Sequence, residues 1–161
     1  MKKTLYIVLL LFVCIGAAAQ SPALWSERLA ASLMAAHRDS FVYDHSKPAK
    51  WDYELGLYLK SLEQLWRHTG RGEYFHYIRR QMDFFIQNDG SIRTYGIEAF
   101  NIDHIAPGRP ALMLWQQTRQ EMYRIAAETL RAQLDKHPRT KEGGFWHKQR
   151  YPWQMWLDGL Y

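Results

Sequence analysis

Apolar residues recur along most of this chain at the three-to-four-residue spacing of an amphipathic helix. Leu24, Trp25, Leu29, Leu33, Met34 and Ala36 form one such stripe and predict a helix over Pro22–Arg38. Ser21 suits its N-cap, and Pro22 suits the first helical position, where the missing N–H costs nothing. A loop through Asp44, Ser46 and Pro48 follows. A second helix is predicted over Trp51–His68, with Leu55, Tyr58, Leu59, Leu62, Leu65 and Trp66 as its stripe. Thr69-Gly70-Arg71-Gly72 reads as a turn. A third helix covers Glu73–Gln87 and stops at Asn88-Asp89-Gly90. Ser91–Phe100 is short and irregular, with a strand-like character. Pro107–Gln117 and Glu121–Lys136 are the fourth and fifth helices. His137–Pro152 is a long loop, and a sixth helix is expected to begin at Trp153. No segment alternates convincingly, so the class is all-α.

The pattern repeats itself. Leu65-Trp66-x-x-Thr69 followed by Tyr74 matches Leu114-Trp115-x-x-Thr118 followed by Tyr123, each pair 49 residues apart. The unit is a helical hairpin: a helix ending in Leu-Trp-x-x-Thr, a tight turn, and a second helix opening at Tyr. That period falls in the range of repeat architectures. Stacked hairpins bury their faces only against neighbours, so they close into a ring, extend as a solenoid, or are capped. The competing explanation is chance likeness between two amphipathic helix pairs, which the matched tryptophans disfavour.

The N-terminus departs from this pattern. Lys2 and Lys3 precede an apolar run from Leu5 to Ile15, followed by Gly16-Ala17-Ala18-Ala19-Gln20. A basic start, a short apolar middle and an A-x-A site make a secretory leader over residues 1–19, cleaved before Gln20. The run is too short for a span of ~20 residues, so no stable membrane anchor is expected. Lipoprotein attachment at Cys14 is disfavoured by the bulky Val13 ahead of it. The leader predicts an exported, periplasmic or secreted protein. It also carries the only cysteine, so the mature chain has no disulfides and rests on its core.

Composition adds to this picture in two places. The formal charge of +5 contains Lys2 and Lys3, so it falls to +3 in the mature chain. The remaining bases are scattered, with no long run, and export argues the same way, so no nucleic-acid partner is expected. The aromatic share is high at 15%, with seven Trp. Such content needs a large core or a stacking surface.

The densest chemistry lies in Pro138–Gly159, where Trp146, Trp153, Trp156, Tyr151, His147 and Asp158 crowd together. Aromatic faces stack on sugar rings, and a carboxyl in an apolar aromatic site is held where its pKa can rise. Asp158, behind Trp156, is a candidate general acid; equally, it could cap a helix while the tryptophans fill the core. Asp103 in Asn101-Ile102-Asp103-His104 is the second candidate, with helix capping as its plainer role. It lies 55 residues before Asp158, close to one repeat, and Glu54 lies 49 before Asp103. Positions at the same end of successive hairpins converge in a closed ring, and paired carboxylates are the usual equipment of glycosidic chemistry. His137 and His147 lack metal-ligand spacing. No Gly-rich phosphate loop or G-x-S-x-G elbow occurs.

Phe145-Trp146-His147-Lys148 and Tyr151-Pro152-x-Gln154-Met155-Trp156-Leu157-Asp158-Gly159-Leu160-Tyr161 resemble glycoside hydrolase family 105, the unsaturated rhamnogalacturonyl hydrolases, related to the unsaturated glucuronyl hydrolases of family 88. Asn101-x-Asp103 with Gly108, Trp51-x-Tyr53 with Gly56, and Pro138-Arg139-Thr140 also fit. The likeness runs from about Trp25 to Tyr161. It implies an (α/α)6 toroid and a hydrolase that removes a 4,5-unsaturated uronic acid from the non-reducing end of lyase-generated oligosaccharides, by hydrating the double bond. It implies Asp158 as general acid/base, Asp103 as the second catalytic carboxylate, and His147, Trp156 and Tyr53 as sugar-binding residues. No metal or organic cofactor is implied. The other readings are a family 88 glucuronyl activity on different lyase products and a non-catalytic helical sugar-binding remnant.

Six hairpins of 49 residues come to 294, whereas 161 residues less a 19-residue leader leave 142. Residues 20–161 are therefore expected to form the N-terminal portion of a toroid, with further substrate contacts beyond Tyr161. Inward faces left without neighbours predict self-association.

Overall fold

The computed structural model describes residues 22–42 and 47–157. The leader, Cys14, the 43–46 loop and Asp158 lie outside the described residues. The described part falls into two units, one ending at Leu33 and the other beginning at Met34. Its helices are α1 (Pro22–Ala36), α2 (Tyr53–Thr69), α3 (Gly72–Phe85), α4 (Gly108–Thr118) and α5 (Glu121–Lys136). Two short 3-10 turns, Ile97–Ala99 and Ile102–His104, lie between α3 and α4. None of the described helices is long and apolar enough to cross a membrane.

The two hairpins, α2–α3 and α4–α5, repeat one another bond for bond at the corner. Thr69 Oγ1 donates to the Leu65 carbonyl at 2.8 Å, and Thr118 Oγ1 to the Leu114 carbonyl at 2.7 Å. Gly70 N–H donates to the Trp66 carbonyl and Arg119 N–H to the Trp115 carbonyl, both at 2.8 Å. The same hydroxyls then accept from Arg71 N–H and Gln120 N–H, both at 3.3 Å. Gly70 and Arg119 both adopt the left-handed conformation, with φ of 70° and 58°. This is the αL helix stop that satisfies an orphan carbonyl. One turn later Tyr74 and Tyr123 are buried at equivalent places. The 49-residue period is therefore a structural repeat.

The second unit's core fills the space between the hairpins. Leu55, Leu59 and Leu62 of α2 face inward, as do Ile78, Met82 and Phe85 of α3, Leu114 of α4 and Leu130 of α5. Contacts join α2 to α3, α4 to α5, and α2 to α4. Gly56 shows how close α2 lies to the segment entering α4. A Cβ there would stand 2.6 Å from the Ala106 carbonyl carbon and 2.7 Å from Pro107 N. Trp51, just ahead of α2, is fully buried; its backbone N–H bonds Thr94 Oγ1 and its indole N–H bonds the His104 carbonyl, both at 2.8 Å.

Two expectations are corrected. The strand-like character of Ser91–Phe100 reduces to a single bridge, Ile86 with Ile92, closing a turn after α3. The helix expected at Trp153 does not start there. Trp153 has φ 66° and sits in a turn, with 154–156 irregular. The Gln154 carbonyl is taken by His147 N–H at 2.6 Å, and the Gln154 N–H by the Tyr151 carbonyl at 3.2 Å. A left-handed residue and these loop bonds are incompatible with helix propagation at that point.

Candidate active site

The site forms where two distant segments pair. Asn101 and Lys148 make an antiparallel bridge; Ile102 N–H donates to the His147 carbonyl at 3.0 Å and Gln149 N–H to the Phe100 carbonyl at 3.1 Å. The 3-10 turn that follows is capped by Asn101, whose Oδ1 accepts from Asp103 N–H at 3.1 Å. Together these set Asp103 beside His147 and Lys148. Asp103 is buried, and its Oδ2 lies 2.7 Å from Lys148 Nζ and 3.8 Å from His147 Nε2.

The capping role for Asp103 is therefore overturned. Pro107 occupies the N-cap position of α4, and the Asp103 carboxylate faces the His147–Lys148 strand. Lys148 was not among the residues singled out from sequence. Its signal was its place directly after His147 in the aromatic loop, but nothing local marks it as the partner of a carboxylate 45 positions away.

His147 is buried and lies flat against the Trp156 indole, with centroids 3.8 Å apart and planes 7° from parallel. Tyr151 runs parallel to both, at 6.5 Å from His147 and 6.2 Å from Trp156. Trp156 is 46% exposed, whereas His147 beneath it is buried. The other tryptophans are placed differently: Trp146 and Trp153 contact each other at 4.9 Å. A buried carboxylate–ammonium pair beside a half-exposed aromatic ring can orient hydroxyls and pack against a pyranose ring.

The remaining sequence candidates lie on the adjoining helix start. Tyr53 is in the first turn of α2 and 45% exposed. Asp52 caps that helix and pairs with Lys50 at 2.7 Å. Glu54 is half-buried and lines, with Asp52 and Lys50, a shallow cavity of about 180 Å³. His104 connects this side to Asp103. Its imidazole is buried, its Nδ1 has no hydrogen-bond partner among the described residues, and its ring meets Tyr95 edge-on at 5.7 Å. Burial holds its pKa below the ordinary histidine value, and Lys50 and Lys148 push the same way against Asp52 and Asp103. The described contacts join Asp103, His147 and Trp156 directly; Tyr53 and Glu54 stand on the neighbouring element. Asp158, two positions past Trp156, is outside the described residues. Among the described residues, no three His, Cys, Asp or Glu side chains converge to hold a metal.

The sequence profile of Glycosyl Hydrolase Family 88 matches residues 25–161. The chain belongs to this family. A solved structure of a family 105 glycoside hydrolase from C. acetobutylicum ATCC 824 is 41% identical and matches with a TM-score of 0.72. The match covers 83% of this chain and 35% of that one. The fold is accordingly all-α, with helical-hairpin repeats forming part of an (α/α)6 toroid.

Proposed function

We propose that this family member is the N-terminal part of a hydrolase that removes a 4,5-unsaturated uronic acid from lyase-generated pectic (rhamnogalacturonan) oligosaccharides. The observation that carries the proposal is the meeting of Asp103, Lys148, His147 and Trp156 in one place. Such a substrate has a flattened ring, hydroxyls and a carboxylate. The parallel rings of Trp156, His147 and Tyr151 suit the ring, and the buried Asp103–Lys148 pair suits the polar edge.

In this reading Asp158 is the general acid/base. It delivers a proton to C4 of the vinyl ether, the ring oxygen stabilises the positive charge at C5, and water adds there with its proton returned to Asp158. The hemiketal opens to a C5 ketone and a C1 hemiacetal, which collapses to the aldehyde and expels the remaining sugar as an alcohol. Asp103 orients the ring hydroxyls and stabilises the cation. The chemistry on this chain needs no covalent intermediate.

Family 88 membership also favours a second substrate, an unsaturated glucuronide from other lyases. Loss of the ultraviolet absorbance of the conjugated enoate, with the two disaccharide classes offered separately, tests both. Turnover abolished by Asp158→Asn supports the proposal; binding without turnover in a chain carrying the downstream coding sequence refutes it. We further propose export through residues 1–19 and self-association through apolar side chains such as Leu57 and Leu112, which are exposed on α2 and α4.

A further inference from the structure

We infer that Gln133 and His137, at the end of α5, are positioning residues for this site. They tie the Asn101 carbonyl to the Trp146 carbonyl through a hydrogen-bond relay that exists only while His137 is neutral with its proton on Nε2. The inference rests on the site reading above, because the two carbonyls belong to the segments that carry Asp103 and His147.

The directions of the bonds follow from donor counting. The Asn101 carbonyl can only accept, which identifies the nitrogen end of the Gln133 amide, and Tyr95 Oη then donates to Gln133 Oε1 at 2.9 Å. Gln133 Nε2 then has two hydrogens. One goes to the Asn101 carbonyl at 2.9 Å, and the other faces His137 Nδ1 at 3.3 Å. Nδ1 must therefore accept, which leaves the ring proton on Nε2, where it donates to the Trp146 carbonyl at 2.7 Å. Gln133 and His137 are both buried, and Phe100 and Phe145 meet the imidazole edge-on at 5.9 and 5.5 Å.

A second proton on His137 places Nδ1–H against the amide hydrogens of Gln133. Turning the amide over accommodates that proton but leaves the Asn101 carbonyl facing an amide oxygen. A buried group without its partner is costly, so either route loosens Asn101 from α5. The charged groups that act on His137 are Arg139 in its own loop, whose guanidinium lies 3.7 Å over the Phe145 ring, and His147 across the site. Both oppose the second proton, as burial does, so the imidazole titrates below the ordinary histidine range, with the Trp146 carbonyl bond working the other way. The relay is thus intact at neutral pH and breaks in acid. The link to the site is short in sequence: Asn101 is two residues before Asp103, and Trp146 one before His147.

The test is nitrogen NMR of the histidine rings in the full chain, with the Asp103 carboxyl carbon and the His147 ring followed in parallel. His137 is expected as the Nε2–H tautomer at neutral pH, with the Asp103 and His147 signals stepping as it titrates. His137→Gln keeps an acceptor toward Gln133 and a donor toward Trp146. It is expected to hold the neutral-pH signals of the site and to abolish that step. Gln133→Leu is expected to shift both signals already at neutral pH. Should that variant not fold, Gln133→Glu serves: its two acceptor oxygens draw a second proton onto His137 at neutral pH and release Asn101. An Nδ1–H tautomer, or an acid step that persists in His137→Gln, or site signals unmoved by the Gln133 variants, overturns the inference. None of these readouts needs turnover, so they stand or fall separately from the proposed hydrolase activity.

Discussion

The imidazole of His147 lies 3.8 Å from the indole of Trp156 and within 7° of parallel to it. The histidine ring is buried and the indole stacked on it is half-exposed. Removing the indole removes that stack. Trp156→Ala is expected to weaken binding of an unsaturated uronide about tenfold, the equivalent of ~1.4 kcal/mol and within the worth of an aromatic contact. Trp156→Phe should retain most of it, and Trp153→Ala should leave it unchanged. Calorimetric titration of the three variants checks this ordering.

The Asp103–Lys148 pair should reveal itself through non-additivity. Lys148→Met leaves a buried carboxylate without its ammonium partner, a loss of about 3 kcal/mol for such pairs. Asp103→Asn should cost less, because the Lys148 side chain, 17% exposed against 8% for Asp103, reaches water more easily. The double variant should be more stable than the two single losses added together. Urea unfolding of the four chains supplies the cycle; strict additivity would show that the 2.7 Å contact contributes no coupling.

Gly56→Ala sets two effects against each other. Alanine gains about 1 kcal/mol over glycine inside a helix. Its Cβ, however, would stand 2.6 to 2.8 Å from Ala106 and Pro107, and two of those atoms are backbone that cannot turn aside. Overpacking of this kind costs about 1–3 kcal/mol, so the clash wins. We expect net destabilisation of up to about 2 kcal/mol, together with displacement of the segment that follows Asp103. Thermal unfolding compared with Gly96→Ala, where open space surrounds the new methyl, separates the contact from a general glycine effect.

Acid should destabilise the fold below about pH 6.5, the ordinary value from which His104 and His137 are both lowered. Between that value and each lowered pKa the unfolded chain binds the proton and the folded chain does not. Stability therefore falls as pH falls through that window and levels off beneath it. Melting temperatures between pH 7.5 and 5 are expected to drop in the native sequence and to drop less in His137→Gln. An equal slope in the two chains would remove His137 from the account.

Much of the framework was legible before folding because its causes are local. Helix α5 occupies Glu121–Lys136 as its periodicity predicts, and the corner of each hairpin follows from a threonine, a left-handed residue and a tyrosine at fixed offsets. Gly70 is the conventional choice for the left-handed position, but Arg119 fills the same role, so the glycine rule alone would have missed the second corner. The aromatic clustering of the loop was legible in its residue types, though its conformation was not: Trp153 bends away where a helix was expected.

The sequence by itself determined the all-α class, the 49-residue repeat and the cluster of aromatic and carboxylate residues, since periodicity, turn chemistry and composition act over a few positions. Only the tertiary structure decided which of those residues meet. Pairing of 100–102 with 147–149 brings Asp103 to Lys148 and His147, and Gln133 reaches Asn101 from another helix. These contacts link positions 32 to 49 residues apart, and they exist because buried backbone groups must find partners once the hairpins have packed. No local pattern states which partners those will be.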